Sequence, residues 1–274
     1  MITGLDHIAI AVRDFAGVSD AYRRLLGREP DFAPREGADR AWFRFPNMAL
    51  EIIAPSGEGP AGDRVRARLD AAGEGVWLAA FAVDDVAAAS RLLARRGLEV
   101  EPAGALARVR AAGLDFVLAS AHGAIPSKPI GDPASDIDGL DHIVVATPNP
   151  DRALGLYGAK FGLDLRLDRT NEQWGARQLF FRCGAAVFEV AANAKNPVSD
   201  GPDRFGGLAW RVSDPHAAQA RMAAAGFDVS EVRAGRKPGT HVFTVRDAPK
   251  GASGGVLGGV PTLMIQQTPQ LETA

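Results

Sequence analysis

Five residues, Gly4-Leu5-Asp6-His7-Ile8, return unaltered as Gly139-Leu140-Asp141-His142-Ile143, 135 residues further along a chain of 274. The spacing persists: Tyr22 and Tyr157, the two tyrosines of the chain, keep the offset of 135, as do Gly27 and Gly162. An internal repeat of this length constrains the fold more than any local propensity, because both copies must build the same strand and helix. Phe43-Arg44 then matches Phe181-Arg182, and Glu51 matches Glu189, at an offset of 138. The change places a three-residue insertion in the intervening hairpin and leaves the strands in step. A weaker echo links Val83-Asp84-Asp85 through Gly97 to Val212-Ser213-Asp214 through Gly226 at an offset of 129, so each half contains two modules.

The first half reads as a strand over 6–12, a helix over 15–26, hairpin strands ending near Ile53, a strand over 76–83, a helix over 86–96, and strands ending near Leu118. The second half repeats this plan from strands starting near Leu140 and Leu208. Capping chemistry supports the helices. Asp14, Asp85, Asn149 and Asp214 stand where a side-chain oxygen accepts from the free N–H groups of a first turn, and Pro150 and Pro215 follow two of them. Gly27, Gly97, Gly162 and Gly226 supply the left-handed residue that closes each helix. The expected class is α+β, with four βαβββ modules in two domains, 1–119 and 139–268. Residues 120–138 are rich in Pro, Gly, Ser and Asp without apolar periodicity and read as an exposed linker, in which His122 is a solvated histidine.

Composition excludes some partners. With 31 Lys and Arg against 33 Asp and Glu, and no dense basic run, the chain lacks the clustered positive field that nucleic acid or an anionic membrane requires. The same balance implies no strongly charged ligand. The amino terminus has no basic and apolar leader, and no stretch approaches the roughly 18 apolar residues of a spanning helix, so the expectation is a cytoplasmic protein. Cys183 is the single cysteine, which rules out an internal disulfide and a cysteine-rich zinc site; it reads as a small apolar residue in a strand.

Strand alternation picks out the candidate site. Ile8, Ile10 and Val12 make one apolar face suited to covering helices, which turns His7, Ala9 and Ala11 to the other. Leu50 and Ile52 likewise turn Glu51 away from the helices, and the same logic separates His142 from Ile143 and Glu189 from Phe188 and Val190. A carboxylate inside an apolar strand is costly unless it is paired, protonated or metal-bound.

The G-L-D-H-I start, a helix ending in Gly, and the later Leu50-Glu51-Ile52 and Phe188-Glu189-Val190 strands resemble the vicinal oxygen chelate superfamily of glyoxalases, bleomycin-resistance proteins, epimerases and extradiol dioxygenases. The resemblance spans nearly the whole chain. It implies paired modules whose mixed sheets curl into a cup, where a divalent metal chelates neighbouring oxygens of the substrate. His7, Glu51, His142 and Glu189 are then the candidate metal ligands, suited to Zn, Ni, Fe, Mn or Co. The resemblance also covers metal-free binding proteins, in which the same histidines only donate hydrogen bonds.

The chain departs from the family in its even-numbered modules. Alignment on Val83 puts Leu78 where His7 stands and Asp115 near Glu51's place; alignment on Val212 puts Gly207 and Met264 at the corresponding positions. If adjacent modules pair, each cup has two family-type ligands, with Asp115 as a third in the first. If the first module packs on the third, His7, Glu51, His142 and Glu189 meet in one cup.

Three further residues are candidates. Arg211 alternates onto the cup side between Trp210 and Val212 and could grip a substrate carboxylate, or reach solvent from a strand end. Trp174, with Gly175, shapes a loop by the third module's opening; Trp42, Trp77 and Trp210 read as core or pocket wall. His241 could serve as acid or base, although nothing in the pattern fixes its face. The expected function is a metal-dependent isomerase or lyase acting on a small carbonyl compound. The ion polarises an oxygen while Glu51 or Glu189 moves the proton. The alternative is a metal-free protein that sequesters a small molecule. Extradiol dioxygenase chemistry would take a histidine and a glutamate from the module that offers Gly207 and Met264. A tandem chain builds its cups internally, so either a monomer or a homodimer is compatible.

Overall fold

A computed structural model describes residues 1–120, 135–246 and 255–267. The first half runs β1 (Ile2–Ala11), α1 (Phe15–Leu26), β2 (Asp31–Phe32), β3 (Ala38–Arg44), β4 (Ala49–Pro55), α2 (Pro60–Ala72), β5 (Gly75–Val83), α3 (Val86–Arg95), β6 (Glu99–Ala103), β7 (Leu106–Ala111) and β8 (Leu114–Ser120). The second runs β9 (Ile137–Ala146), α4 (Pro150–Ala153) continuing as a π-helical stretch (Leu154–Lys160), β10 (Asp164–Asn171), β11 (Ala176–Cys183), β12 (Ala186–Asn193), β13 (Arg204–Val212), α5 (Pro215–Ala224), β14 (Asp228–Val229), β15 (Arg233–Ala234), β16 (Thr240–Arg246) and β17 (Thr262–Gln267). The linker positions 121–134, His122 among them, lie outside the described residues.

Each half is one mixed sheet. The first has eight strands in the order β2-β3-β4-β1-β5-β8-β7-β6, and the second follows the same plan as β10-β11-β12-β9-β13-β17-β16-β14, with β15 added on β16. Within each, the two modules join through their first strands, β1 antiparallel to β5 and β9 antiparallel to β13. Adjacent modules therefore pair. The arrangement that would bring the first module onto the third, and unite all four candidate ligands, is not the one adopted.

The four expected caps form. Asp14 accepts from Gly17 N, Asp85 from Ala88 N, Asn149 from Arg152 N, and Asp214 from His216 N and Ala217 N. Gly27, Gly97, Gly162 and Gly226 all take positive φ, between 58° and 88°.

The helix α2 has no counterpart among the described residues of the second half. Ala61, Val65 and Leu69, one helical face, pack on Ala9, Ala11, Ala38 and Ile53, the face of the first sheet turned away from α1. Its start is docked on the β2–β3 turn, where Ala61 N and Gly62 N both donate to Glu36 O at 3.1 Å in place of a side-chain cap. The helix-covered faces of the two sheets share one continuous core that includes Ile8, Tyr22, Phe81, Phe116, Tyr157, Phe188 and Trp210. The halves stand back to back, and their hollow faces point in opposite directions. Among the described residues no helix is long and apolar enough to cross a membrane.

Candidate functional site

Alternation along β1 and β4 places His7 and Glu51 on the hollow face, as the sequence pattern requires, and the burial is deep: Glu51 is 3% exposed and His7 8%. Cross-strand register lines up two rows in the first cup. One runs Trp42, Glu51, Ala9, Leu78, Asp115, Arg110, and the other Ala49, His7, Ala80, Val117, Arg108. His7 pairs with Ala49 and Glu51 lies two residues on; Leu78 pairs with Asp115, so the residue two on is Val117. Val117, and not Asp115, is thus Glu51's counterpart. Asp115 instead accepts from Trp77 Nε1 at 3.2 Å, with Arg110 Nε 3.8 Å away. In the second cup Met264 is fully buried in the shared core, and Leu263, level with Ala209 and so with His142, lines the hollow face.

Each histidine is held by the aspartate before it. His7 Nδ1 lies 2.6 Å from Asp6 Oδ1, and His142 Nδ1 lies 2.7 Å from Asp141 Oδ1. The aspartate fixes the ring by its Nδ1 and turns Nε2 toward the glutamate. The two dyads then differ. His7 Nε2 is 4.0 Å from Glu51 Oε2, and Arg40 Nη1 stands 3.0 Å from Oε1 but out of line for a hydrogen bond. Glu51 Oε1 and Arg40 Nε therefore each keep an unfilled hydrogen-bonding position. In the second cup His142 Nε2 is 3.4 Å from Glu189 Oε2, and Gln178 Nε2 donates to Oε1 at 2.6 Å. Arg169 Nη2 donates in turn to the Gln178 carbonyl at 2.9 Å.

Arg40 and Gln178 occupy repeat-equivalent positions, 138 residues apart like the two glutamates, and neither was singled out by sequence. The alignment could have exposed them, but their identities differ, and a search for repeated residues passes over positions where the copies diverge. Burial raises the Glu51 carboxyl above its ordinary value; His7 and Arg40 oppose that shift without cancelling it. Burial also pushes the Cys183 thiol up to about 12, in keeping with an inert buried strand residue.

The first dyad opens into a cavity of about 1410 Å³, walled by the sheet and α2 and rimmed by Arg204–Gly207 and Gly259–Pro261 from the second half. That exceeds the roughly 300–1,000 Å³ of an ordinary ligand pocket. The remaining sequence candidates lie elsewhere. Arg211 is engaged at the end of β13, with Nε 3.0 Å from Asp138 Oδ1 and Nη1 3.3 Å from Ala185 O. Trp174 is 43% exposed in the loop after β10, with the Arg236 guanidinium 4.4 Å and that of Arg169 5.8 Å from its ring centroid. His241 sits on β16, exposed, opposite Gln266.

The donor set decides how far a metal suits each cup. Among the described residues no group of three or more His, Cys, Asp and Glu side chains is placed to hold an ion. In the first cup the facing positions are the apolar Leu78 and Val117, and the carboxylate already lies against a guanidinium. That cup does not fit the expected metal, since a catalytic ion is ordinarily held by about three protein ligands. The second dyad fits better: two donors about 2.1 Å from one ion stand roughly 3.0–3.4 Å apart, and His142 and Glu189 have that spacing.

A family profile described as the Glyoxalase/Bleomycin resistance protein/Dioxygenase superfamily matches residues 6–117 and 141–244. The ethylmalonyl-CoA/methylmalonyl-CoA epimerase of Cereibacter sphaeroides is 39% identical over 62 residues, which is 22% of this chain and 46% of that protein, so less than half of the relative's length is spanned. A triply substituted 4-hydroxymandelate synthase from Streptomyces coelicolor superposes with a TM-score of 0.75 at 15% identity, over 98% of this chain and 94% of that one. The Mn(II)-bound glyoxalase from Novosphingobium aromaticivorans superposes with a TM-score of 0.66 at 16% identity, over 97% and 82%. At these identities the structural likenesses establish the fold.

Proposed function

For a chain that belongs to the Glyoxalase/Bleomycin resistance protein/Dioxygenase superfamily, we propose an isomerase of a small carbonyl compound whose proton transfer takes place in the first cup. One observation carries this reading: Glu51 is a buried carboxyl, raised by burial, with an unfilled oxygen between His7 and Arg40 on the wall of the cavity of about 1410 Å³. Strongly perturbed acids in clefts are where proton-transfer chemistry concentrates. The substrate carbonyl accepts from Arg40. Glu51 takes the proton from the adjacent carbon, and the electron pair of the broken C–H bond moves onto the carbonyl oxygen, where Arg40 balances its charge. Return of the proton to the other face of the same carbon, as the electron pair moves back from the oxygen, restores the carbonyl and completes an epimerisation. Asp6 fixes the His7 ring, and α2 limits the water that reaches the carboxyl. The local likeness to an epimerase is in keeping with this chemistry.

The test is exchange of the hydrogen beside the carbonyl in deuterated water, followed by NMR over a panel of small ketones and 2-oxo acids. Wild type exchanges a member of the panel and Glu51→Gln loses at least 100-fold of that rate. Equal exchange by the variant overturns the reading, and tight ligand binding without exchange by wild type favours a sequestering protein.

The spacing of His142 and Glu189 supports a second reading, in which a divalent metal is held in the second cup with the Gln178 amide beside it. When bound, the ion would polarise a carbonyl oxygen as a Lewis acid. Metal content measured after dialysis falls in His142→Ala and not in His7→Ala if this holds; equal content in both variants argues against it. Two domains at 1–119 and 139–268, and a cytoplasmic monomer or homodimer acting on a small molecule, belong to the same proposal.

A further inference from the structure

The near-zero charge of the whole chain conceals how its arginines are placed. The helix α2 carries two successive faces. Ala61, Val65 and Leu69 meet the sheet, and the neighbouring stripe of Arg64, Ala67, Arg68 and Ala71 lines the first cavity. Arg68 is tied locally, donating to Gly73 O at 2.9 Å and Val76 O at 3.3 Å. Arg64, half-buried, has no hydrogen bond or ion pair to any described residue, nor has Arg108, which is exposed on β7 in the row that contains His7 and lines the same cavity. Carboxylates near them have other arrangements. Asp63 is bonded to Arg66 at 2.6 Å, Glu36 to Arg35 at 3.0 Å, and Glu51 lies against Arg40. Glu101 stands opposite Arg108 on the edge strand β6, exposed and not within ion-pair distance. Burial, and then the like charge of Arg108, lower Arg64 from its ordinary value, and Arg40 adds to that repulsion. Cationic groups that repel one another across a cavity gain from an anion placed between them, and a guanidinium offers paired donors to a carboxylate or phosphate.

We propose that Arg64 and Arg108, on opposite walls of the first cup, form an anion subsite that holds a carboxylate or phosphate group of the substrate while its carbonyl end lies at Arg40 and Glu51. This rests on the proton-transfer reading for the position of the carbonyl and narrows the substrate class to anionic carbonyl compounds. His7 and Arg108 stand in one row with two strands between them, about 14 Å along the sheet at the usual strand spacing, and the reach of both arginines brings the anion closer to the dyad.

Malonate and inorganic phosphate, neither of which carries a reacting carbonyl, are the probes, and calorimetric titration and thermal unfolding of the full chain are the readouts. Wild type binds at least one of the two, and which of them binds separates a carboxylate from a phosphate site. Arg64→Met and Arg108→Met each weaken that binding at least tenfold and abolish the anion-induced rise in Tm. Without anion both variants unfold at or above the wild-type temperature, because repulsion has been relieved. Glu51→Gln keeps the affinity, so a failed exchange assay and a failed anion site remain distinguishable. If wild type binds neither probe, or the Arg64→Met, Arg108→Met double variant binds as wild type does, the proposal falls.

Discussion

The ring of Phe81, on the first sheet, lies with its centroid 5.4 Å from that of Phe188, on the second. Both rings are fully buried, and both belong to the faces that carry the helices. Phe161 and Phe116 extend the contact, with Phe81 to Phe161 at 5.2 Å and Phe116 to Phe161 at 5.0 Å. The halves are joined through one shared core, with aromatic rings of both sheets in contact.

Phe81→Ala is expected to cost about 3–5 kcal/mol, the usual range for a deleted core aromatic. Because the void left by the missing ring lies between the two sheets, both halves should destabilise together. Chemical denaturation read by fluorescence and by circular dichroism should give one coincident transition, at lower denaturant than wild type. Two separated transitions would mean that the halves fold apart.

Glu51 gives the protein a defined pH response. Its folded value is raised by burial, so the folded state keeps the proton over a pH range in which the unfolded chain has lost it. The stability it contributes is therefore full below the ordinary carboxyl value and is lost as pH rises through the raised one. Glu51→Gln removes that loss. Tm measured from pH 4 to pH 8 should favour the variant increasingly toward the alkaline end, and a difference between the two proteins that stays constant with pH would contradict the assignment.

Gly184 closes the β11–β12 turn at φ 62°, and a Cβ there would stand 2.8 Å from the Gly4 Cα and 2.9 Å from Thr3 O. Gly184→Ala meets both backbone strain and a clash with the start of β1, at a cost of about 1–3 kcal/mol. Gly57, where an added Cβ meets nothing within 4 Å, is the control, and Gly57→Ala should unfold as wild type does.

Since the cups face opposite ways, substitutions in them should not interact. His142→Ala is expected to leave the exchange rate of the first cup within about twofold. Glu51→Gln and Glu189→Gln combined should have additive effects on stability to within about 0.5 kcal/mol. A coupling larger than that would point to communication through the shared core.

Much of the fold was legible because the repeat is carried by residues with local mechanical roles. Asp14 and Asn149 cap, Gly27 and Gly162 terminate, and alternation around Ile8 and Ile143 assigns faces without knowledge of tertiary contacts. The helix α2 was missed because it has no copy to be recognised by, although Pro60 and the Ala61, Val65, Leu69 spacing signal a helix start and one apolar face. The π-helical turn of Leu154–Lys160 leaves no comparable mark in composition. At the site, His7 and Glu51 were visible as repeated polar residues in apolar strands. Which modules face one another depends on how β1 meets β5, a non-local pairing on which the local pattern is silent. The misplacement of Asp115 and Met264 has a simple source: an alignment that slips by one position turns a cup residue into a core residue, and one that slips by two moves it from one cross-strand row to the next.

Back-to-back packing also bears on how such a chain can change. The lining of one mouth can be rewritten residue by residue, as Arg40 against Gln178 already illustrates, without touching the lining of the other. Tolerance is not divided in the same way. A domain's stability margin is only about 5–15 kcal/mol, and the two mouths share a single supporting interior. A substitution that sharpens one site at the expense of stability leaves less room for innovation in its twin, so specialisation of the two ends is free in chemistry and rivalrous in stability.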